Sequence, residues 1–324
     1  MNSLAISLLL SSGFLCIGAE PPAALNLTKA IALPGIQGRF DHFSMDIKGR
    51  RLFVAALGNN TVEIIDVAAA KHVKSLAGLH KPTGVLYLAA QNQIAVANAE
   101  EGTLKIFDGD SFKPLKSIGS LDDADNLRFD AKANRIYLGY GDGALAIIDA
   151  TTTKLTGSIK LPAHPESFQL EKEGSRIFVN VPDAKQVTVI DREKNTVSAT
   201  WPMTEFRANF PMALDEPNHR LFVGCRQPPR LVVFDTISGK PTANIAISGD
   251  TDDLFYDARR QRLYISCGEG FVDVIPCDRL ERVAHIPTRS GARTSFFSPE
   301  LAAFYLAVPQ RDGRDAEIRI YKPQ

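Results

Sequence analysis

Leu52-Phe53-Val54, Ile94-Ala95-Val96, Ile136-Tyr137-Leu138, Ile177-Phe178-Val179, Leu221-Phe222-Val223, Leu263-Tyr264-Ile265 and Phe304-Tyr305-Leu306 recur along the chain at a period of about 42 residues. About a dozen residues after each of the first five, a second apolar run ends in an acid: Asp66, Asp108, Asp149, Asp191 and Asp235. Each acid suits the turn that follows, because a carboxylate accepts hydrogen bonds from nearby backbone amides. A period near 40 built from short strands is the pattern of propeller blades.

Working outward from the triplets, each unit reads as four strands with period-two alternation and Gly/Asn/Asp turns. In the first unit these are His42 to Asp46 (A), Arg51 to Leu57 (B), Thr61 to Val67 (C) and His72 to Leu76 (D). In the second they are Gly84 to Leu88, Asn92 to Asn98, Gly102 to Asp108 and Pro114 to Ile118. Later units begin at Asn126, Ser167, Pro211, Asp253 and Thr294. The seventh has A, B and C (Thr294 to Ser298, Ala302 to Val308, Ala316 to Tyr321) and then the chain stops. Lys29-Ala30-Ile31-Ala32-Leu33-Pro34 resembles the outer strand Gly157-Ser158-Ile159-Lys160-Leu161-Pro162, so the N-terminal segment is expected to complete the last blade. The expected fold is an all-β, seven-bladed β-propeller over residues 28–324, with four-stranded antiparallel blades. Pairing the two ends protects edges that would otherwise template aggregation.

Residues Leu4 to Ala19 are nearly continuous apolar or small, and Glu20-Pro21-Pro22 breaks the run. This reads as a signal peptide over residues 1–19 with cleavage near Ala19. A membrane anchor is the rival, although the run is short of the roughly 20 residues a span needs. Cys16 lacks a good lipobox before it. The expected location is periplasmic or secreted, as a monomer with no transmembrane anchor after cleavage. The 37 basic and 37 acidic residues cancel, which argues against duplex DNA as a partner. Cys225 and Cys267 occupy matching positions of neighbouring repeats. They are small core residues or, in an oxidising compartment, a disulfide; with Cys277 the count is odd.

The strand-B segments Ile94-Ala95-Val96-Ala97-Asn98, Ile177-Phe178-Val179-Asn180 and Leu52-Phe53-Val54-Ala55, each followed by a polar turn and a strand such as Val187-Thr188-Val189-Ile190-Asp191, resemble the YVTN-type, YncE-like seven-bladed propellers of bacteria. The similarity spans residues 28–324. It implies a WD40-like ring and an exported binding or scaffolding protein, some relatives touching single-stranded DNA. It also implies kinship with haem d1-type and lactonase-type propellers. No CxxCH haem-attachment site is present.

In such a ring the D-to-A and B-to-C loops share one face around the central channel, where ligands enter a preformed concavity. That places Arg39, Asp41, His42, His80, Asp125, His164, Glu166, Arg207, Asn209, Asp252 and Arg293 at the channel mouth as candidate ligand-binding residues. His42, Asp125, Glu166 and Asp252 combine imidazole and carboxylate donors and are the candidate ligands of a divalent metal. Glu100, Glu101, Asp122, Asp123, Asp125 and Asp142 suggest an acidic sector facing a basic one of Arg226, Arg230, Arg289, Arg293, Arg311 and Arg314. Guanidinium groups there suit an anionic ligand or a protein partner. His219 reads as a turn residue of the opposite face, and Trp201 as packing between blades. Gly141-Asp142-Gly143 and Gly268-Glu269-Gly270 read as hairpin turns.

No nucleophile elbow, phosphate loop or HExxH helix occurs. The leading expectation is therefore a non-enzymatic binding protein for a protein or small polar or anionic ligand, with no catalytic residues and no cofactor assigned. The alternatives are a lactonase-like, metal-assisted hydrolase or lyase at the channel mouth, and single-stranded nucleic-acid binding.

Overall fold

A computed structural model describes residues 24–324; the signal-peptide and Cys16 readings lie outside them. Seven four-stranded antiparallel sheets form the seven blades. Blade 1 is Phe43–Asp46, Arg51–Ala56, Thr61–Asp66 and Lys71–Leu76. Blade 2 is Pro82–Leu88, Gln93–Asn98, Thr103–Asp108 and Pro114–Ile118. Blade 7 joins Ser295–Ser298, Ala303–Val308 and Ala316–Pro323 to the N-terminal Leu25–Leu33. The closing strand thus starts four residues before Lys29. It runs antiparallel, with Leu25 opposite Pro323 and Leu33 opposite Ala316.

Burial grades outward within each blade. Strand B is buried on both faces, as in Leu52 to Ala56, because a blade stacks on each side of it. That explains why the B triplets are apolar without alternation, the behaviour of strands covered on two faces. The outer strand is mostly exposed, as in Thr196–Pro202. In five blades the register between C and D shifts at the same place, for example between Ile64 and Ile65 and between Val189 and Ile190. Such a bulge adds local twist, which suits the outermost strand of a propeller blade.

The core is divided among the blade interfaces. Seven apolar clusters of buried residues occur, one between each pair of neighbouring blades. Between blades 4 and 5, Trp201 stacks 5.6 Å from Phe234 and lies 5.3 Å from Phe178. Burying such a ring contributes about 3–5 kcal/mol against its truncation. Cys225, Cys267 and Cys277 are buried and free, so the disulfide alternative is not realised. Burial in apolar surroundings pushes the Cys225 thiol up to about 12, which keeps it unreactive.

The turn residues behave as their chemistry dictates. Asp66 accepts from the amides of Ala68 and Ala69 at 2.9 and 2.8 Å, and Asp191 from those of Glu193 and Lys194. His219 adopts a left-handed conformation (φ 53°) in the A-to-B turn of blade 5, away from the channel mouth.

Candidate functional site

The mouth is built by the residues that enter strand A. In blades 1, 3 and 4 the same backbone bond recurs: the amides of Asp41, Asp125 and Glu166 donate to Ala55, Gly139 and Asn180 of their own strand B at 2.8–2.9 Å. The repeat therefore delivers Asp41, Asp125, Glu166, Asp252 and Arg293 to one ring of positions, and His42, Asn126 and Ser167 to the next ring inward. Two glycines allow the close approach. A Cβ on Gly58 would lie 2.6 Å from the amide nitrogen of Arg39, and one on Gly84 would lie 2.2 Å from the carbonyl oxygen of Asp125. Any side chain at either place would push an acid-bearing loop off the mouth.

A cavity of about 280 Å³ results, lined by both rings together with Arg39, Lys81, Thr83, His164, Phe210 and Arg226. His42 also borders a second cavity of about 300 Å³ deeper in the channel, beside Arg128 and Asp253. It stands between mouth and channel.

The two halves of the ring differ. Toward blades 5–7, Asp252 is held between two guanidiniums: Arg293 Nε lies 3.0 Å from its Oδ2, and Arg226 Nη2 donates to its Oδ1. Arg293 also bonds Asp250, at 2.7 and 3.0 Å. Arg226 donates to the Thr251 carbonyl and lies 3.7 Å over the Phe210 ring. Toward blades 1, 3 and 4 the groups are close but not bonded. His42 Nε2 is 3.5 Å from Asp41 Oδ1 and 3.8 Å from Asp125 Oδ1. His164 Nε2 is 3.9 Å from Asp125 Oδ2, while its Nδ1–H donates to the Gly141 carbonyl at 2.7 Å. Among the described residues no side-chain partner comes within hydrogen-bond distance of Asp41, His42 or Glu166, and Asp125 has only the long approaches of His42 at 3.8 Å and His164 at 3.9 Å.

This crowding sets protonation. Burial, then repulsion from Asp125 and Asp252, raises the Asp41 carboxyl well above its usual range. The same causes bring Glu166 up to about 8. Burial lowers His42, favouring the neutral imidazole. For His164 burial opposes the charge, but Asp125 and the Gly141 carbonyl outweigh it and raise the imidazolium to about 9. At neutral pH Glu166 thus keeps its proton and His164 its charge, and Asp41 is biased toward its protonated form. A ligand with donors or positive charge can displace or share them.

Eight of the eleven sequence-nominated residues line the cavity: Arg39, Asp41, His42, Asp125, His164, Glu166, Asp252 and Arg293. Three do not. His80 is exposed and faces Glu101 at 3.3 Å. Arg207 is exposed at the start of strand A of blade 5. Asn209 is fully buried and pins blade 5 to blade 4, donating to Asn180 Oδ1 at 2.9 Å and to the Gln186 carbonyl at 3.1 Å. The cause is local. Strand A of blade 5 begins at Arg207 rather than Pro211, and its register slips between Asn209 and Met212. Phe210 therefore takes the ring position.

The nominated metal quartet also divides. Asp252 is taken by arginines, and His42 and Asp125 group with Asp41, each of the three offering a donor atom within 4.8 Å of the others. The basic sector is largely consumed internally. Arg289 donates to the carbonyls of Pro309 and Asp315 at 2.8 Å, and Arg311 to Ser290 Oγ at 3.0 Å. Arg226, read only as part of that sector, is a wall of the cavity. Its position one residue after Cys225 at the end of a strand B was the available signal.

No family model matches the chain. Among curated proteins it is similar to "Uncharacterized protein YncE" of Salmonella typhimurium, 24% identical over 193 residues, covering 58% of this chain and 55% of that protein. The counterpart from Salmonella typhi is 23% identical over the same length. The match thus spans about half the length of these relatives. Among solved structures, a chain of the Mitotic Checkpoint Complex superposes with a TM-score of 0.78 over 99% of this chain and 98% of its own, at 14% identity. That likeness concerns the fold alone.

Proposed function

We propose that this chain, a YncE-like seven-bladed β-propeller, is a binding protein that takes a small polar ligand, rich in hydrogen-bond donors, in its channel mouth. One observation carries the reading: Asp41, His42, Asp125 and Glu166 converge on one cavity, Asp41 buried and the other three half-buried, with no side-chain partner closer than the 3.5 Å between His42 and Asp41. Polar groups gathered in a concavity and not used up by one another are free to bond a ligand in place of water. Cavity size favours a small molecule over a polypeptide segment. The internally paired arginines weigh against an anion as the main recognition element. Export is supported by the apolar run Leu4 to Ala19.

The test is a thermal-shift panel of amino acids, amines, sugars and polyols, followed by calorimetry on each hit. A genuine ligand raises the melting temperature and loses about tenfold or more in affinity in Glu166→Ala and Asp125→Ala, each lost hydrogen-bonding partner being worth about 1–3 kcal/mol. If no compound shifts the melt, or the hits bind both variants as well as the parent, the reading is wrong. Turnover of a lactone or ester panel that vanishes with His42→Ala would replace it with hydrolysis.

A further inference from the structure

We infer that Asp41, His42 and Asp125 form a site for a divalent transition-metal ion, with its open coordination positions turned into the cavity. This deepens the pocket reading and shares its cavity, but it stands on separate observations.

The first is spacing. Ligands held about 2.0–2.2 Å from a first-row ion lie about 3.0–3.6 Å from one another. His42 Nε2 is 3.5 Å from Asp41 Oδ1 and 3.8 Å from Asp125 Oδ1, and all three donors lie within 4.8 Å of one another, so a contraction of at most about 1–2 Å brings them onto one centre. The second is Asp41 itself. Its side chain is 12% exposed and lines the cavity, with no hydrogen-bond donor within reach among the described side chains. The nearest cation is Arg39, 3.8 Å away and 59% exposed at its side chain. A carboxyl so buried and so poorly partnered marks a place where an ion would supply what the protein does not.

The backbone holds the three donors in place. The amides of Asp41 and His42 donate to the carbonyls of Ala55 and Thr83, and that of Asp125 to Gly139. One imidazole and two carboxylates suit zinc or manganese, whereas calcium prefers an all-oxygen shell. His164 stands behind the other oxygen of Asp125 at 3.9 Å, where it can orient that ligand. The other buried histidine–carboxylate pairs lack this openness. Glu63 is closed by His72, Thr61 and Ser75, and Asp273 by His285, Ser248 and Arg282.

The experiment is calorimetry of chelator-treated full chain with zinc chloride alone, manganese and calcium in parallel, and elemental analysis after dialysis. One zinc per chain is expected. His42→Gln and Asp125→Asn should each lose about 100-fold in affinity, while His80→Gln, outside the cavity, stays within about threefold. Circular dichroism of the metal-free variants separates loss of ligand from loss of fold, and Asp41→Asn serves if either fails to fold. Absence of zinc binding, binding untouched by His42→Gln, or preference for calcium overturns the inference. The two readings fail separately. Panel ligands that bind chelated protein at full affinity remove the ion and leave the pocket. Stoichiometric zinc with no panel hit removes the small-molecule ligand and leaves the ion.

Discussion

On the face of the A-to-B turns, Arg51, Arg176 and Arg220 each double-bond an acid five residues earlier and donate a third bond to the next blade. Arg220 bonds Asp215 Oδ2 through Nε at 3.0 Å and Nη2 at 2.6 Å, and Nη1 reaches the Cys277 carbonyl of blade 6 at 2.8 Å. Arg51 does the same with Asp46 and Gly109, and Arg176 with Glu171 and Thr236. Each guanidinium also lies over an aromatic ring two residues on, at 5.0–5.8 Å. At the channel mouth the same acids appear in the same repeat, but those of blades 1, 3 and 4 have no such partners. Where donors match acceptors, buried charge fastens blades together. Where they do not, burial and mutual repulsion push Asp41 and Glu166 toward their protonated forms and leave the mouth open to a partner from solvent.

The largest test of that contrast is Arg220→Ala. It leaves Asp215, almost wholly buried, without its guanidinium, and should cost about 3 kcal/mol in urea denaturation; a loss under about 1 kcal/mol would mean the fastening is ornamental. Next comes pH. Glu166 is raised from 4.5 to about 8, so the folded state keeps a proton that the unfolded chain has released. Stability is fully present below about 4.5 and falls as pH rises through 8. His164, raised from 6.5 to about 9, acts in the same direction between those values. Glu166 alone should remove roughly 2 kcal/mol between pH 6.5 and 8, at about 1.4 kcal/mol per unit. Melts of chelated Glu166→Gln should therefore decline less steeply than the parent; parallel curves would show that the carboxyl is ionised throughout. The smallest effect belongs to Asp66→Ala, a half-buried turn acid bonded to local amides, at about 0.5–1 kcal/mol.

The blade count and closing strand were legible because strand B is covered on both faces, so its triplets stay apolar in all seven units. The face assignment of Asp41, His42, Asp125, His164, Glu166 and Asp252 was legible for a similar reason: the loops entering strand A must all meet at the axis. Blade 5 was not, because the slip between Asn209 and Met212 changes which side chain looks inward without changing the repeat. Nor was the pairing of Asp252 with Arg226 and Arg293, which joins loops of blades 5, 6 and 7 that spacing treats as independent. The carboxylate-to-arginine step of five residues recurs at Asp46, Glu171 and Asp215, yet a solvated ion pair and an inter-blade fastener look alike in one dimension.

The closing strand also orders events in time. Thr28 Oγ1 donates to the carbonyl of Ile320, 292 residues away, so although Ile31 and Leu33 pack beside Phe43 and Leu52 of blade 1, Leu25–Leu33 has no strand to pair with until Ala316–Pro323 exists. During synthesis the first strand made is the last to be paired. Until then it is an open edge available to other chains, and contacts this distant are slow to form. The step most exposed to failure is thus the pairing of Leu25–Leu33 with Ala316–Pro323, after six blades are already in place.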